Sequence, residues 1–325
     1  MSIAVTDLAT SGAMPATPGG GRRSVGFVDS VGSVSSVGSV CSVGLDALRA
    51  ELRALGPVVV AFSGGADSAF LARVATDTLG ADRVLCVTAV SPSLAPEELA
   101  DCRALATEWG LRHLEVATDE LADPAYTAND GSRCYHCKSS LMAALGPVAA
   151  AAGPLATVVL GVNLDDLSDH RPGQTAASER GAVFPLVNSG FTKADVRNWS
   201  RRMGLRTWDK PAAACLASRV PYGTRVTFTT LDSVARAESG LRALGFRQIR
   251  VRHYGDTARI EVPAGELDHV VELREEVSAA VHAAGYRYVT LDLDGFRSGN
   301  LNHSLDAVGR SGHAAGEHDA TEESA

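Results

Sequence analysis

Short, fully apolar segments alternate with stretches of helical apolar spacing over residues 45–163. Residues 58–62 are apolar throughout, which is typical of a strand buried on both faces of a parallel sheet. We predict further strands at 83–90, 111–116 and 157–163, with helices at 45–55 and Pro96–Trp109. This alternation of strand and helix predicts an α/β fold with a doubly wound parallel sheet.

A different pattern begins after about Tyr222. It contains a predicted helix at 229–245, opened by Thr229 and Asp232 in the spacing of a capping box. Predicted strands at 246–253, 258–262 and 287–293 and a helix at 265–284 complete it. We therefore expect an α/β domain over residues 44–222, followed by a small α+β domain over 223–304 that serves substrate binding or oligomerisation. Residues 1–43, rich in Ser, Gly and Val, and the acidic residues 305–325 are predicted to be disordered tails.

The overall composition narrows the class of protein. The 325 residues are 45% hydrophobic and 21% charged, with a net charge of −8. These values exclude a fibrous protein and argue against the strongly basic surface of a nucleic-acid-binding protein. No apolar run reaches the roughly 18 residues of a membrane span, and the N-terminus shows no signal-peptide pattern. We expect a cytoplasmic homo-oligomer with no membrane or nucleic-acid partner.

A glycine-containing loop follows the first predicted strand. It consists of Ser63, Gly64, Gly65, Ala66, Asp67 and Ser68. The glycines allow a tight turn with inward-pointing N–H groups, and the N-terminus of the next helix adds positive potential. The serine hydroxyls and Asp67 are suited to phosphate oxygens and Mg²⁺. We interpret this segment as a phosphate-binding loop, the alternative being an ordinary turn between a strand and a helix.

Three of the six cysteines lie in settings that suggest chemistry. Cys134 and Cys137 form a C-x-x-C pair, whose sulfurs reach one metal centre, although a redox pair or a chance pairing has the same spacing. Cys215 is flanked by small residues that let a substrate approach, and Lys210 and Arg219 favour its thiolate. Three thiols suit a [4Fe–4S] cluster with one open iron, whereas structural zinc requires a fourth ligand. The alternative is that only Cys215 takes part in the chemistry and that Cys134 and Cys137 are bystanders.

The glycine-containing loop resembles the pyrophosphate loop of the N-type ATP pyrophosphatases, and the further motifs resemble the LarE family of ATP-dependent sulfur transferases. The motifs are S-G-G-x-D-S at 63–68, C-Y-H-C-K at 134–138, G-V-N-L-D-D at 161–166, H-R-P-G at 170–173, the segment 210–219 with P-Y-G at 221–223, and D-G-F-R-S-G at 294–299. This resemblance covers about residues 45–302. It implies that Gly161, Asn163, Asp165 and Asp166 lie near the nucleotide, with Val162 standing where Thr is more usual.

The LarE family helps to build the nickel-pincer nucleotide cofactor of lactate racemase, so the resemblance implies a reaction. ATP with Mg²⁺ adenylates a carboxylate of a small molecule, pyridinium-3,5-biscarboxylic acid mononucleotide, and pyrophosphate is released. Sulfur then displaces AMP and gives a thiocarboxylate. In one subgroup the cysteine matching Cys215 donates its own sulfur and becomes dehydroalanine. In the other, thiols matching Cys134, Cys137 and Cys215 hold an iron–sulfur cluster with a replaceable sulfide, and because all three are present we favour this type.

The phosphate of such a substrate requires a cationic pocket. Arg250 and Arg252 are two residues apart on one predicted strand and share a face, and Arg219 reaches the site from beside Cys215. Glu238, on the neighbouring helix, is a candidate acid/base or metal partner. The alternatives are a solvated strand face for the arginines and a surface charge for Glu238, which is the default expectation.

Two other functions compete with this interpretation. One group of tRNA thiolases also combines a pyrophosphate loop with a cysteine-ligated cluster. The mildly acidic chain, without a lysine-rich stretch, argues against RNA as the substrate. A non-catalytic nucleotide-binding module of the universal-stress type has differently spaced glycines and does not need three positioned thiols.

Overall fold

The computed structural model describes residues 37–167 and 172–297. His170 and Arg171 of the H-R-P-G motif, and Ser298 and Gly299 of the D-G-F-R-S-G motif, lie outside the described residues. The helices are α1 (Val37–Leu55), α2 (Ala66–Leu79), α3 (Pro96–Trp109), α4 (Pro124–Ala128), α5 (Arg133–Ala152), α6 (Pro172–Glu179), α7 (Pro185–Asn188), α8 (Lys193–Arg202), α9 (Phe228–Ala243), α10 (Leu267–Glu272) and α11 (Arg274–Ala283). The strands are β1 (Val58–Ala61), β2 (Val84–Val90), β3 (His113–Ala117), β4 (Thr157–Leu160), β5 (Arg250–Tyr254), β6 (Thr257–Glu261) and β7 (Tyr288–Leu291).

The first four strands form one parallel sheet in the order β3-β2-β1-β4. Alternate residues of β1 enter two separate cores: Val58 and Val60 pack with α1, α2 and α8, whereas Val59 packs with α5 and α6. Both faces are therefore covered by helices, as the continuous apolar run predicts. The predicted parallel α/β sheet is confirmed, and its strands all direct their carboxyl ends to one edge, where such folds bind ligands.

The C-terminal unit is built on a three-stranded sheet in the order β5-β6-β7. β5 and β6 are antiparallel, and β6 and β7 are parallel. Helices α9 and α11 pack against this sheet through a core that includes Leu241, Val251, Ile260 and Val281, all buried. A small α+β unit therefore follows the parallel sheet, as predicted.

Several element boundaries differ from the predictions. α1 begins at Val37, earlier than the predicted start and inside the segment predicted as a tail. α9 begins at Phe228 and is capped by Thr227, whose side chain accepts a hydrogen bond from the Thr230 N–H. The predicted capping box of Thr229 and Asp232 is therefore wrong, because both residues already lie inside the helix.

One further helix prediction needs correction. The stretch 265–284 is divided into a 3-10 turn, α10 and α11, and the break falls at Leu273, whose backbone leaves the helical region. The C-x-x-C pair of Cys134 and Cys137 lies in the first turns of α5. None of the described helices has the length and apolar character needed to cross a membrane.

A long connection, residues 203–227, runs along the carboxyl edge of the parallel sheet between α8 and α9 and carries Cys215; we name it the Cys215 loop. Backbone hydrogen bonds attach it at three points. Leu216 N donates to Ser93 O (2.9 Å), Gly223 N to Asn129 O (3.0 Å) and Val226 N to Thr127 O (3.0 Å). The loop is thereby held against the segments that follow β2 and α4.

Candidate active site

A cleft of about 490 Å³ opens at the carboxyl edge of the parallel sheet. The phosphate-binding loop contributes Ser63 and Gly65 to its wall, and the Cys215 loop contributes Cys215. The start of α5 adds Cys137 and Lys138. The remaining wall is formed mainly by the end of β2, the start of α3 and the segments after β2 and β3, including Thr88, Ser91, Ser93, Glu98, Thr118 and Glu120. Its volume falls in the range of small-ligand sites, and it joins the predicted phosphate loop to two of the predicted thiols.

The phosphate-binding loop has the compact turn that its glycines predict. Gly64 has φ +67°, in the left-handed region that favours glycine, and Gly65 is the N-cap of α2. The hydroxyls of Ser63 and Ser68 lie 3.0 Å apart, and Ser63 N donates to Ser68 Oγ (3.2 Å). The loop therefore presents two hydroxyls together with the N-terminus of α2, an arrangement suited to phosphate.

Gly161 lies directly against this loop. A Cβ at this position would lie 2.7 Å from Ser68 N and 2.9 Å from the carbonyl carbon of Asp67, closer than any side chain tolerates. The chain leaving β4 can pass the first turn of α2 only because residue 161 has no side chain. The structure thus places Gly161 next to the phosphate-binding loop, as the family resemblance implies.

Asp67 is held at the centre of a polar group. Asn163 Nδ2 donates to Asp67 Oδ1 (2.9 Å), and Lys193 Nζ lies 3.9 Å from Asp67 Oδ2. Burial raises the pKa of Asp67, while Lys193 and Asn163 act in the opposite direction. Asp165 accepts a hydrogen bond from Lys193 N, and Asp166 Oδ2 accepts one from Asn163 N (3.2 Å). These carboxylate oxygens are the ligand type that Mg²⁺ prefers.

Lys210 connects the Cys215 loop to the phosphate-binding loop. Its ammonium group donates to Gly64 O (3.2 Å), Glu98 Oε2 (2.8 Å) and Asp101 Oδ2 (2.6 Å). The sequence interpretation placed Lys210 beside Cys215 as a charge that favours the thiolate. In the structure its charge is instead matched by two carboxylates of α3, so its main contribution is to fix the relative position of the two loops.

The three predicted thiols lie in different environments. Cys134 and Cys215 are exposed, whereas Cys137 is half-buried. Burial, with the nearby thiols of Cys215 and Cys134 adding to it, raises the pKa of Cys137 to about 12. Cys137 therefore remains a thiol at neutral pH. Cys137 and Cys215 line the cleft, whereas Cys134 lies one helical turn before Cys137 in α5 and is not part of the cleft wall.

The thiols do not already form a metal site. Across residues 37–167 and 172–297, no group of three or more His, Cys, Asp or Glu side chains is arranged to hold a metal ion. Cys134 and Cys137 are three residues apart in α5, so their side chains project from one face of the helix. The donor type fits an iron–sulfur cluster, but the side chains would have to turn toward one another to hold it.

Asn129 and Arg133 hold α5 against the Cys215 loop, and sequence reasoning missed both. Arg133 donates to Asn129 Oδ1 and to Ala217 O (2.9 Å), while Asn129 Nδ2 donates to Pro221 O (2.8 Å) and Thr224 O (2.8 Å). Both side chains are buried. A positive φ of 58° at Asn129 is compatible with its identity, but the sequence alone does not reveal the distant carbonyls it binds.

Arg219 and Glu238 form a buried ion pair behind the Cys215 loop. The guanidinium donates to both carboxylate oxygens (2.8 and 3.1 Å), and Glu238 is fully buried rather than a surface charge, which corrects the default expectation. Arg219 also donates to Ala214 O (2.7 Å) and Cys215 O (3.2 Å). Neither Arg219 nor Glu238 lines the cleft, so in this structure they position the loop that carries Cys215.

Arg250 and Arg252 differ although they lie on one strand. Arg252 is 2% exposed and binds both oxygens of Glu261 (3.0 and 2.9 Å) and Ser218 O (2.7 Å). Arg250 is half-buried, and no carboxylate among the described residues forms an ion pair with it. Burial, with Arg219 and Arg252 adding to it, lowers the pKa of Arg250 to about 10. Of the two, Arg250 has the guanidinium available for an anion, although neither arginine is part of the cleft wall.

A phosphate-binding loop at the carboxyl edge of a parallel sheet, facing a loop with an exposed thiol, defines a nucleotide-binding protein of the pyrophosphate-loop class. The NAD synthase family model matches residues 45–136. An uncharacterized protein of Synechocystis sp. is 47% identical over 263 residues, covering 80% of this chain and 97% of the relative. The pyridinium-3,5-bisthiocarboxylic acid mononucleotide synthase of Lactiplantibacillus plantarum is 40% identical over 258 residues, covering 79% of this chain and 93% of the relative. The chain therefore belongs to the family of this synthase, the LarE family.

The environments of the thiols predict their order of alkylation. At pH 8, a thiol with a pKa of about 12 has a thiolate fraction on the order of one in ten thousand, so iodoacetamide should label exposed Cys134 and Cys215 long before Cys137. The Cys137 rate should rise about tenfold per pH unit, since the thiolate fraction does so below its pKa. Peptide mapping of timed samples measures this order. Buried Cys86, whose pKa is also raised by burial to about 12, serves as the slow internal reference. Equal labelling of Cys137 and Cys134 at pH 8 would contradict it.

Proposed function

We propose that the chain is an ATP-dependent sulfur transferase that converts a carboxylate of pyridinium-3,5-biscarboxylic acid mononucleotide into a thiocarboxylate. The observation that carries the proposal is the single cleft with Ser63 and Gly65 on one wall and Cys215 on another. An acyl-adenylate formed at the phosphate-binding loop would remain within reach of the sulfur group. The L. plantarum relative, 40% identical, is named for a mononucleotide of this kind.

Adenylation would take place at the phosphate-binding loop. The backbone N–H groups around Gly64 and Gly65 and the hydroxyls of Ser63 and Ser68 would hold phosphate oxygens of ATP. Mg²⁺, a hard cation, would be held by carboxylate oxygens such as those of Asp67 and would neutralise charge on the phosphates. The substrate carboxylate then attacks the α-phosphate, the bond to the β-phosphate breaks, and pyrophosphate leaves.

Sulfur transfer would follow at the Cys215 end of the cleft. We propose that Cys134, Cys137 and Cys215 ligate a [4Fe–4S] cluster, which when bound supplies an open iron for an exchangeable sulfide. The chain's own part is to keep Cys215 beside the acyl-adenylate through the carbonyl contacts of Arg219. The competing route uses Cys215 itself as the sulfur atom that attacks the acyl carbon as AMP leaves. Loss of the Cys215 Cα proton and cleavage of its C–S bond then yield the thiocarboxylate and dehydroalanine.

The phosphate of the mononucleotide would bind at Arg250. Its guanidinium is half-buried, stacks at 4.3 Å over the ring of Phe296, and has no carboxylate partner among the described residues. Arg252, Arg219 and Glu238 would instead act as positioning residues, because their charges are already paired and buried. Homo-oligomeric assembly, action in the cytoplasm and the absence of a nucleic-acid partner remain predictions.

A tRNA thiolase is the competing function. The 40% identity to a synthase named for a mononucleotide favours a small-molecule substrate, and so does the net charge of −8. The discriminating assay offers ATP together with either the pyridinium mononucleotide or tRNA and measures pyrophosphate.

The first prediction concerns Asp67. Asp67→Ala should abolish release of pyrophosphate with the mononucleotide, because it removes the carboxylate at the centre of the phosphate site. Its melting temperature should stay near that of the wild type, since the residue lies beside a loop rather than in a core. Asp77→Ala, an exposed carboxylate at the far end of the same helix, serves as the matched control. Undiminished pyrophosphate release by the Asp67 variant would refute the assignment.

A second prediction separates the two arginines. Arg250→Ala should raise the KM for the mononucleotide roughly tenfold to a hundredfold, as expected on loss of a charge-assisted contact, while the KM for ATP stays unchanged. Arg252→Ala should instead destabilise the fold by about 3 kcal/mol, because it leaves part of a buried ion pair unmatched. Steady-state kinetics and thermal melting of both variants test the contrast. An unchanged KM for the Arg250 variant would rule out its role.

A third prediction concerns the source of sulfur. With a cluster, anaerobic reconstitution should yield about four irons per chain and repeated turnover with added sulfide, and loss of any one of the three thiols should lower iron content and activity together. With Cys215 as donor, Cys134→Ser and Cys137→Ser should each complete one turnover. Mass spectrometry would then show a loss of about 34 Da at Cys215, corresponding to H₂S. That mass change, with no iron bound after reconstitution, would overturn the cluster proposal.

A further inference from the structure

Glu120 is a buried carboxylate that the reaction described above does not use. It opens the 3-10 turn Glu120–Ala122 after β3, is 2% exposed, and lines the cleft. Within the described residues its side chain forms neither a hydrogen bond nor an ion pair. A carboxylate withdrawn from water normally has a cation or several N–H donors beside it. The described residues supply neither, and Glu120 lines the cleft, so a ligand bound there is the available partner for its carboxylate.

The other charged groups of the cleft wall do not neutralise Glu120. Glu98 is hydrogen-bonded to Lys210, which leaves that lysine occupied. Lys138 lines the cleft as well, but it is not within ion-pair distance of Glu120 in the described structure. The nearby hydroxyl of Tyr126 is hydrogen-bonded to Ser93 (2.5 Å). Among the described residues, no cation of the cleft wall is therefore paired with the Glu120 carboxylate.

Its position within the cleft indicates which part of a ligand it meets. The 3-10 turn that carries Glu120 packs against α5, which carries Cys134 and Cys137, and Glu120 lines the same cleft as Cys137 and Cys215, so Glu120 lies at the thiol end. ATP is an anion, so a carboxylate at the thiol end would repel it. A permanently cationic aromatic ring is the matching ligand, because it cannot lose its charge by deprotonation when water is removed.

We propose that Glu120 is the counter-charge for the pyridinium ring of the substrate, an inference that rests on the proposed function. The carboxylate would hold the cationic ring at the end of the cleft where Cys215 lies. It would also discriminate against neutral or anionic aromatic acids, because these leave Glu120 buried and unpaired. Glu120 is thereby assigned a role in substrate specificity.

The test varies the charge of the ligand and the charge of the residue separately. Binding of N-methylpyridinium-3,5-dicarboxylate and of neutral-ring pyridine-3,5-dicarboxylate to the full chain is measured by calorimetry, without turnover. The wild type should prefer the cationic ring by about tenfold or more, and Glu120→Gln should lose this preference, since the charge pair no longer forms. Glu120→Asp keeps the charge and should retain part of the preference. Asp119→Asn removes an exposed carboxylate one residue away and should leave it unchanged.

Two results would overturn the proposal. One is equal affinity of the wild type for the two ligands, which requires no variant and so does not depend on variant folding. The other is a Glu120→Gln variant that keeps the preference but needs more ATP or Mg²⁺, which would place Glu120 at the nucleotide. Failure of the proposed function would be a different result. The wild-type protein would then bind the cationic ring but would release no pyrophosphate with ATP and the mononucleotide.

Discussion

One buried ion pair, that of Arg219 with Glu238, holds the backbone at Cys215 against the C-terminal unit. Glu238 is fully buried, so its oxygens require donors, which Arg219, Arg242 and a backbone N–H of β5 supply. Arg219 in turn holds the carbonyl groups of Ala214 and Cys215. Removing Glu238 would leave the buried guanidinium of Arg219 without a carboxylate partner, at a cost of about 3–5 kcal/mol. The C-terminal unit thus supports the thiol-bearing backbone from one side, while Lys210 and the hydrogen bond from Leu216 N to Ser93 O hold the same loop to the parallel-sheet domain.

The parallel sheet and the phosphate-binding loop could be predicted from sequence because their signals are local. The apolar run at β1 identifies a strand buried on both faces, and two adjacent glycines before a helical pattern identify the turn. The thiol pair at Cys134 and Cys137 and the single thiol at Cys215 were also found by local spacing. Boundaries were less certain, and α9 shows the reason. Thr227, Thr229 and Thr230 all lie at its start, and only the backbone conformation selects Thr227 as the cap.

The rest of the site could not be predicted because its partners are distant in sequence or diagonal in the sheet. Strand alternation correctly places Arg250 and Arg252 on one face, but it does not indicate that Arg252 is buried. In the β5–β6 register Glu261 lies opposite Arg250, yet its carboxylate binds Arg252, the diagonal neighbour. The burial of Glu238 likewise depends on Arg219, which belongs to a separate loop. A periodic pattern in the sequence does not indicate such contacts.

The burial of these ion pairs also affects how the molecule responds to ionic strength. Dissolved ions screen charges that face water, such as the exposed pair of Arg103 and Glu115, over about 10 Å at 0.1 M salt. They have little access to Arg219 and Glu238, whose side chains are 6% and 0% exposed. The attachment of the Cys215 loop to the C-terminal unit should therefore persist at salt concentrations that remove most surface electrostatics. A loss of activity in concentrated salt would then reflect weakened binding of the charged substrates rather than displacement of the thiol.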